Sequence, residues 1–168
     1  FILVQTNLIE KLRNIKVIGW TTILFGILLY ISDRFKLEKN IDKNFNFKSV
    51  IFIGLFQMLS LIPGVSRSGI SITAARFLNY KRFDSVKLSF LLSIPTLGAV
   101  SIYGSKNIYF SQDENISTLS LLSIFLSFVF SLITIKFFLK YINRFSLSIF
   151  VFYRIILGFI LLIVSYLY

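Results

Sequence analysis

Cysteine and histidine are both missing from this chain of 168 residues. Without cysteine there is no disulfide, no thiolate metal site and no thiol catalysis, and without histidine the commonest general base and metal ligand is absent. Acidic residues are also few, with seven against 18 lysines and arginines, so the formal net charge is +11. The chain's own residues therefore cannot form the usual histidine, cysteine or zinc sites.

Apolar residues dominate what is there. They make up 56% of the chain, including 20 phenylalanines, and the mean hydropathy is +0.82, whereas a soluble domain is about 45–50% apolar. We predict an all-α, polytopic membrane protein in which residues 1–168 form a single membrane domain. The basic residues lie mostly in short loops between apolar runs, where anionic lipid headgroups attract them, so we expect the bilayer as partner and no nucleic acid.

Four apolar segments have a length suited to crossing a bilayer, at residues 17–32, 88–103, 116–139 and 146–168. Two shorter apolar pieces, 49–62 and 69–80, flank Pro63-Gly64, a pair that ends helices. The positive-inside rule puts the basic loops 33–48, 81–87 and 140–144 in the cytoplasm and the loop 104–115 outside. These sides alternate correctly only if residues 49–80 form a re-entrant helical hairpin with PGVSRSG at its tip.

The composition of this tip indicates an anion site. Non-helical backbone at membrane depth is tolerated only where it is buried in protein or lines a watery cavity, and Arg67 needs water or an anionic partner. A helix that starts near Ser68 would add free N–H groups and the positive end of its dipole. Arg67 can grip phosphate oxygens with two donors, and the hydroxyls of Ser66, Ser68 and Ser71 can donate to others. The pattern favours phosphate.

Plainer roles for the same residues stay open. Arg67 could be an ordinary basic residue that flanks a complete span. Helix capping is the common role of serine before a helix, and glycine often serves tight turning or close packing. These roles would apply to Ser66 and Ser68, and to Gly64 and Gly69, while Gln57 could make a helix–helix hydrogen bond.

Arg154 is a second charge well inside a predicted span, in FVFYRIILGF. Gly158 lies four residues later on the same helix face, so we expect Arg154 to project toward a closely packed neighbour. A contact with backbone carbonyls is favoured over catalysis, because no nearby motif supports chemistry. We interpret most of the remaining charges as solvated loop residues.

The stretch GLFQMLSLIPGVSRSGISITAARFLN, followed by KLSFLLSIPTLGA, resembles the second signature of the bacterial undecaprenyl-diphosphate phosphatases, the bacitracin-resistance family. The ending YRIILG is similar to the final helix of that family. Ser71 stands where the family commonly has threonine, and it keeps the hydroxyl. The matching positions include Gly54, Gln57, Pro63, Gly64, Ser66, Arg67, Ser68, Gly69, Ser89 and Pro95.

This resemblance implies hydrolysis of undecaprenyl diphosphate, a polyprenyl diphosphate lipid, in the bacterial inner membrane, which recycles the carrier for cell-wall synthesis. It implies an inverted-repeat fold in which two re-entrant hairpins face each other around the diphosphate. A divalent cation such as Mg²⁺ or Ca²⁺ could assist by neutralising diphosphate charge, although the chain has no recognisable metal-ligand spacing. By motif, the catalytic residues would be Arg67, Ser66 and Ser68, and the substrate-binding residues Gly64, Gly69, Ser71 and Gln57.

The family's first signature, a glutamate-rich segment followed by a serine-containing loop and a histidine, does not occur in the chain. The first residue is Phe1 rather than methionine. We therefore expect a carboxy-terminal portion that lacks the amino-terminal repeat and is inactive alone. Two alternatives stay open: a transporter or flippase that holds a phosphorylated lipid at a broken helix, and an inactive remnant.

Overall fold

The computed structural model of the chain describes residues 14–35, 39–110 and 114–167. These residues form seven α-helices and one short 3₁₀ helix, and their only bridge between extended segments joins Lys39 to Tyr80. The α-helices are α1 (Ile15–Asp33), α2 (Ile41–Asn44), α3 (Phe47–Met58), α4 (Arg67–Phe77), α5 (Arg82–Phe110), α6 (Glu114–Ile142) and α7 (Ser148–Leu167). The 3₁₀ helix, Leu59–Leu61, continues α3.

Four of the described helices are long and apolar enough to cross a membrane, namely α1, α6, α7 and the Arg82–Ile102 part of α5. This confirms the all-α, polytopic prediction and its four spans. The prediction of a loop at residues 104–115 is wrong for most of that range, because α5 continues to Phe110 and α6 begins at Glu114. A helix is held by its own backbone hydrogen bonds, so it need not end where the apolar run ends.

Helix α6 carries the largest apolar surface. None of its most apolar 18-residue window is buried within the chain, and side chains such as Phe128, Phe130 and Phe137 are more than 60% exposed. A contiguous surface of this kind is rare on soluble monomers. In the hydrocarbon of a bilayer these side chains can stay exposed to lipid. The helix backbone can do so too, because all of its polar groups are paired internally.

Helices α1 and α7 pack closely along a line of glycines. A Cβ atom added at Gly158 would come within 2.5 Å of Ile23 Cγ1, and one added at Gly19 within 2.8 Å of Leu162 Cδ2. Small residues allow two membrane helices to approach this closely. Arg154 is buried on the same face of α7 as Gly158, which confirms that the two project toward a neighbouring helix.

Helices α3 and α4 form a short antiparallel pair. Ser49 Oγ, near the start of α3, lies 3.0 Å from the hydroxyl of Tyr80, just after α4, and that hydroxyl donates to the Asn44 carbonyl at 2.9 Å. With 11 residues, α4 is about 16 Å long, against about 30 Å of hydrocarbon in a bilayer. Neither arm can span a membrane alone, and entry and return of residues 49–80 on one side stays a prediction.

Helix α4 lies at the centre of the bundle. Residues 69–76 are all buried, and Ala74 and Ala75 are fully so. Its two buried hydroxyls bond within the helix, because Ser71 Oγ donates to the Arg67 carbonyl at 3.0 Å and Thr73 Oγ1 to the Gly69 carbonyl at 2.8 Å. Small side chains and satisfied hydroxyls allow this polar helix to be surrounded by others.

Three charges form a group, the Asp33 cluster, at the end of α1, in which Asp33 and Arg76 are buried and Arg82 is partly exposed. Asp33 Oδ1 lies 3.1 Å from Arg76 Nη2 and 2.7 Å from Arg82 Nε, and Oδ2 accepts from the Leu147 N–H at 3.3 Å. Burial lowers the pKa of Arg76 to about 10, against the opposing effect of the Asp33 carboxylate. The interpretation of such charges as solvated loop residues is wrong for Asp33 and Arg76, which pair across helices.

Candidate functional site

Residues 62–66, which we call the tip loop, connect the 3₁₀ helix to α4. Helices α1 and α7 hold its carbonyl groups. Thr21 Oγ1 donates to the Pro63 carbonyl at 2.7 Å, and the Gly64 carbonyl accepts from Thr22 Oγ1 at 3.3 Å and from Arg154 Nη2 at 3.1 Å. The irregular backbone is therefore paired with side chains of two spans, as buried backbone must be.

Gly64 makes the turn possible. Its φ angle of +90° lies in a region that side chains with a Cβ rarely adopt. A Cβ there would also clash with Thr21 Oγ1 and approach Ile18 O within 2.6 Å. The turning and packing roles considered for Gly64 are both confirmed.

Ser66 caps α4. Its backbone is extended, and its Oγ accepts from the Gly69 N–H at 3.2 Å, so the capping role predicted from sequence is confirmed. The helix begins at Arg67, one residue before the predicted start. The N–H groups of Arg67 and Ser68 have no intrahelical partner at this terminus and mark the positive end of the helix dipole.

Arg67 is exposed and faces α5. Its Nη1 donates to Thr96 Oγ1 at 3.3 Å, and no ion pair of Arg67 occurs among residues 14–35, 39–110 and 114–167. It borders a cavity of about 540 Å³, here called the serine cavity, whose hydroxyl-bearing residues are Ser60, Ser68, Ser89 and Ser93. Its guanidinium thus keeps donors free beside several hydroxyls.

Arg154 approaches the tip loop from the side of α7. Its Nη1 is buried and has no hydrogen-bond partner within the part of the chain that the structure describes, while Nη2 holds the Gly64 carbonyl. A Cβ at Gly69 would lie 2.7 Å from Nη1, so glycine at position 69 leaves room for the guanidinium. The predicted contact of Arg154 with a backbone carbonyl is confirmed.

A second cavity, the apolar cavity, has a volume of about 480 Å³. The two arginines border different cavities, but Val65 and Ser68 line both. Its polar lining residues are Ser66 and Ser68 around the start of α4, Thr22 on α1, and Tyr153 and Arg154 on α7. Its apolar walls include Ile18, Leu29, Ile72, Phe138, Leu147, Phe150, Leu157 and Leu161.

Two of the predicted site residues lie elsewhere. Ser71 is 2% exposed and its hydroxyl donates to the Arg67 carbonyl, while Gln57, on α3, lines neither cavity. Sequence reasoning assigned no site role to Thr21, Thr22, Ser93 or Thr96. The sequence did contain a signal for these residues. Positions 89, 93 and 96 share one face of a helix, and Thr21 and Thr22 interrupt an apolar span.

The acidic side chains that the structure describes lie away from the tip loop. The acidic side chains that the structure describes are Asp33, Asp42 and Asp84, at or near the ends of α1, α2 and α5. Twelve residues of α1 separate Thr21 from Asp33, which is about 18 Å along the helix. Among the described residues no three metal-ligating side chains gather, so they supply neither a general base beside Arg67 nor a cation site.

The sequence profile of the family described as bacitracin resistance protein BacA matches residues 1–160. The chain belongs to this family. Three similar BacA-family proteins, each named undecaprenyl-diphosphatase, come from Pelagibacter ubique, Teredinibacter turnerae and Jannaschia sp.. They are 52%, 42% and 38% identical to the chain over 99%, 97% and 96% of its length.

The chain spans 65%, 62% and 60% of the lengths of these three BacA-family relatives. The expectation of family membership from PGVSRSG and its neighbours is confirmed.

Proposed function

We propose that the protein hydrolyses undecaprenyl diphosphate to undecaprenyl phosphate and inorganic phosphate in the bacterial inner membrane. The name carried by its BacA-family relatives supports this reaction. This chain would supply the part that binds the diphosphate and the first portion of the lipid. The lipid carrier returned in this way would serve cell-wall synthesis.

The observation that carries the proposal is the free guanidinium of Arg67 at the start of α4. It is exposed to the serine cavity, and its one hydrogen bond among the described residues is to Thr96. Bidentate donors and unpaired helix N–H groups suit phosphate oxygens. Arg154, whose buried Nη1 has no hydrogen-bond partner among the described residues, would offer a second positive charge beside the same helix terminus.

The apolar cavity would take the first isoprene units of the lipid. Its walls are mostly Leu, Ile and Phe, and its charged residue, Arg154, lies beside the tip loop. An amphiphile with a charged head and an apolar tail matches this arrangement, since ligand sites combine apolar walls with a few convergent polar groups. The rest of the tail would stay in the bilayer.

In the reaction, a water oxygen bonds to the terminal phosphorus and the bond from that phosphorus to the bridging oxygen breaks. The electron pair remains on the oxygen of the lipid monophosphate. Arg67 and the N–H groups of α4 would stabilise the charge on the phosphoryl oxygens, which is the main protein contribution to phosphoryl transfer. Ser66 and Ser71 would position the helix start, Ser68 would donate to phosphate, and the general base would come from outside the described residues.

The test uses the complete reading frame that encodes this chain. We expect Arg67→Ala to lower phosphate release from undecaprenyl diphosphate by at least about 100-fold, the usual loss for one transition-state donor. Arg67→Lys should also fail, because lysine cannot make the bidentate contact. Lys87→Gln is the matched control, since Lys87 is exposed on α5 and lines neither cavity.

Near-normal phosphate release by Arg67→Ala, with the protein still inserted, would contradict the proposal. A wild-type protein that moves the labelled lipid between leaflets without releasing phosphate would instead support a transporter. Release at the wild-type level by Lys87→Gln is needed before the Arg67 result is attributed to the site.

A further inference from the structure

A third cavity, of about 510 Å³, lies at the opposite end of α4 from the tip loop. It is separated from the site described above by most of the length of that helix. We call it the basic pocket. Five of its lining residues are positively charged and one is negative: Arg34, Arg76, Lys81, Arg82 and Arg144, with Asp33.

The single carboxylate of the basic pocket is already occupied. Asp33 accepts from Arg76, from two nitrogens of Arg82 and from the Leu147 N–H. It cannot also neutralise Lys81 or Arg144, for which no ion pair occurs in the part of the chain that the structure describes. The pocket therefore has an excess of positive charge, which attracts anions.

One residue that lines the pocket has a buried donor without a partner among the described residues. Arg76, whose side chain is 3% exposed, lines the pocket, and its Nε makes no hydrogen bond among the described residues. A second guanidinium is held in place, since Arg34 lies over the ring of Tyr30 at 4.6 Å from the centroid. Donors that are fixed before binding lose little entropy when an anion arrives.

The position of the basic pocket points to a lipid rather than a free ion. Its residues lie where α1 and α6 end and where α5 begins, so it lies at the depth of the lipid headgroups. The exposed rings of Phe35 and Phe145 border it, and they are held by edge contact with Phe77 and by stacking on Tyr141. Apolar rings beside a cationic pocket suit an amphiphile.

We propose that the basic pocket binds the phosphate-bearing headgroup of an anionic phospholipid from the adjoining leaflet. Arg76, Lys81 and Arg144 contact the phosphate, and Phe35 and Phe145 contact the upper part of the acyl chains. Basic pockets between membrane helices are known to bind such headgroups. This site is separate from the proposed diphosphate site and does not depend on phosphatase activity.

The test measures binding of short-chain phosphatidylglycerol and short-chain phosphatidylcholine to the detergent-purified protein, encoded by the complete reading frame, by native mass spectrometry. Wild type should bind phosphatidylglycerol about tenfold more tightly or better, given the attraction that each nearby lysine or arginine adds. The double variant Lys81→Gln, Arg144→Gln should lose most of this preference. Both side chains are exposed, and neither forms an ion pair with another described residue, so folding should persist, and circular dichroism checks that.

The matched control is Lys43→Gln, Lys48→Gln, which removes two exposed charges from α2 and α3 without touching the pocket. We expect it to keep the preference within about threefold. Equal losses in both double variants would mean general surface attraction and would overturn the proposal. So would the absence of any preference in wild type, or inorganic phosphate that binds as tightly as the lipid, which would indicate a free-phosphate site.

Discussion

Arg67 and Arg154 carry the same charge in different surroundings, and these surroundings suggest different tasks. Arg67 is exposed beside hydroxyls, and within the described part of the chain its guanidinium donates only to Thr96, so most of its donors are available. Arg154 is buried, and it uses Nη2 to fix the Gly64 carbonyl. We therefore assign ligand contact to Arg67, and to Arg154 chiefly the positioning of the tip loop.

Arg154→Gln should loosen the tip loop. A hydrogen bond from a charged donor contributes about 1.5–3 kcal/mol, so we expect phosphate release at saturating substrate to fall about 10- to 100-fold. Arg154→Lys keeps the charge and one donor, and should recover part of the loss. The measurement compares kcat and KM for both variants, since a positioning role predicts that kcat is affected.

Lys140→Gln serves as the control for the loss of charge, because Lys140 is exposed on α6 and lines neither cavity. It should leave kcat within about twofold. If Arg154→Gln matched this control, Gly64 would not need the contact. If Arg154→Lys were as inactive as Arg154→Gln, planar guanidinium geometry rather than charge would be required.

At the scale of elements, the contact between α1 and α7 depends on glycine. A Cβ at Gly158 would meet Ile23 Cγ1 at 2.5 Å and the Gly19 carbonyl at 3.1 Å, so the Ile23 side chain or the helix backbone must shift. We expect Gly158→Ala to lower the free energy of unfolding by about 1–3 kcal/mol, the usual cost of overpacking. Thermal unfolding in detergent measures it.

Gly98→Ala is the control for this change. Gly98 lies on α5, and a Cβ there would meet nothing within 4 Å. Alanine should be neutral or slightly stabilising at that position, because it has the higher helix propensity. Equal stability of the Gly158 and Gly98 variants would show that the α1–α7 contact tolerates wider spacing.

The spans and the tip were predictable from sequence because their signals are local. Apolar length identified α1, α5, α6 and α7, and Pro63-Gly64 with Ser66 marked the break and the cap. The partners of the tip were not predictable, since Thr21 meets Pro63 across 42 residues. Hydropathy scales also give every charged residue a hydrophilic value, so the sequence did not indicate that Asp33 is buried beside two arginines.

For the whole molecule, the Asp33 cluster joins segments that are distant in sequence. Asp33 is the last residue of α1, and its carboxylate pairs with Arg76 of α4 and Arg82 of α5. The same carboxylate accepts a hydrogen bond from the N–H of Leu147, just before α7. Four helices thus meet at one side chain. Because Arg76 and Asp33 are both almost fully buried, their pairing is shielded from solvent and salt.

Asp33→Asn should therefore destabilise the whole bundle. It leaves the guanidinium of Arg76 buried without a counter-charge, which typically costs about 3–5 kcal/mol. Asp42→Asn, at an exposed position on α2, should change stability by less than about 0.5 kcal/mol. Denaturant unfolding of both variants measures the difference, and equal stabilities would contradict the role of the cluster.

Removing the charge of Arg76 as well should restore part of the stability lost in Asp33→Asn. The double variant Asp33→Asn, Arg76→Met removes the buried charge that Asp33→Asn leaves without a partner, so it should be more stable than Asp33→Asn alone. Asp33→Asn also removes the one carboxylate that lines the basic pocket. Anionic lipid should then raise the melting temperature of Asp33→Asn more than that of wild type, because the bound phosphate takes over the role of the missing counter-charge.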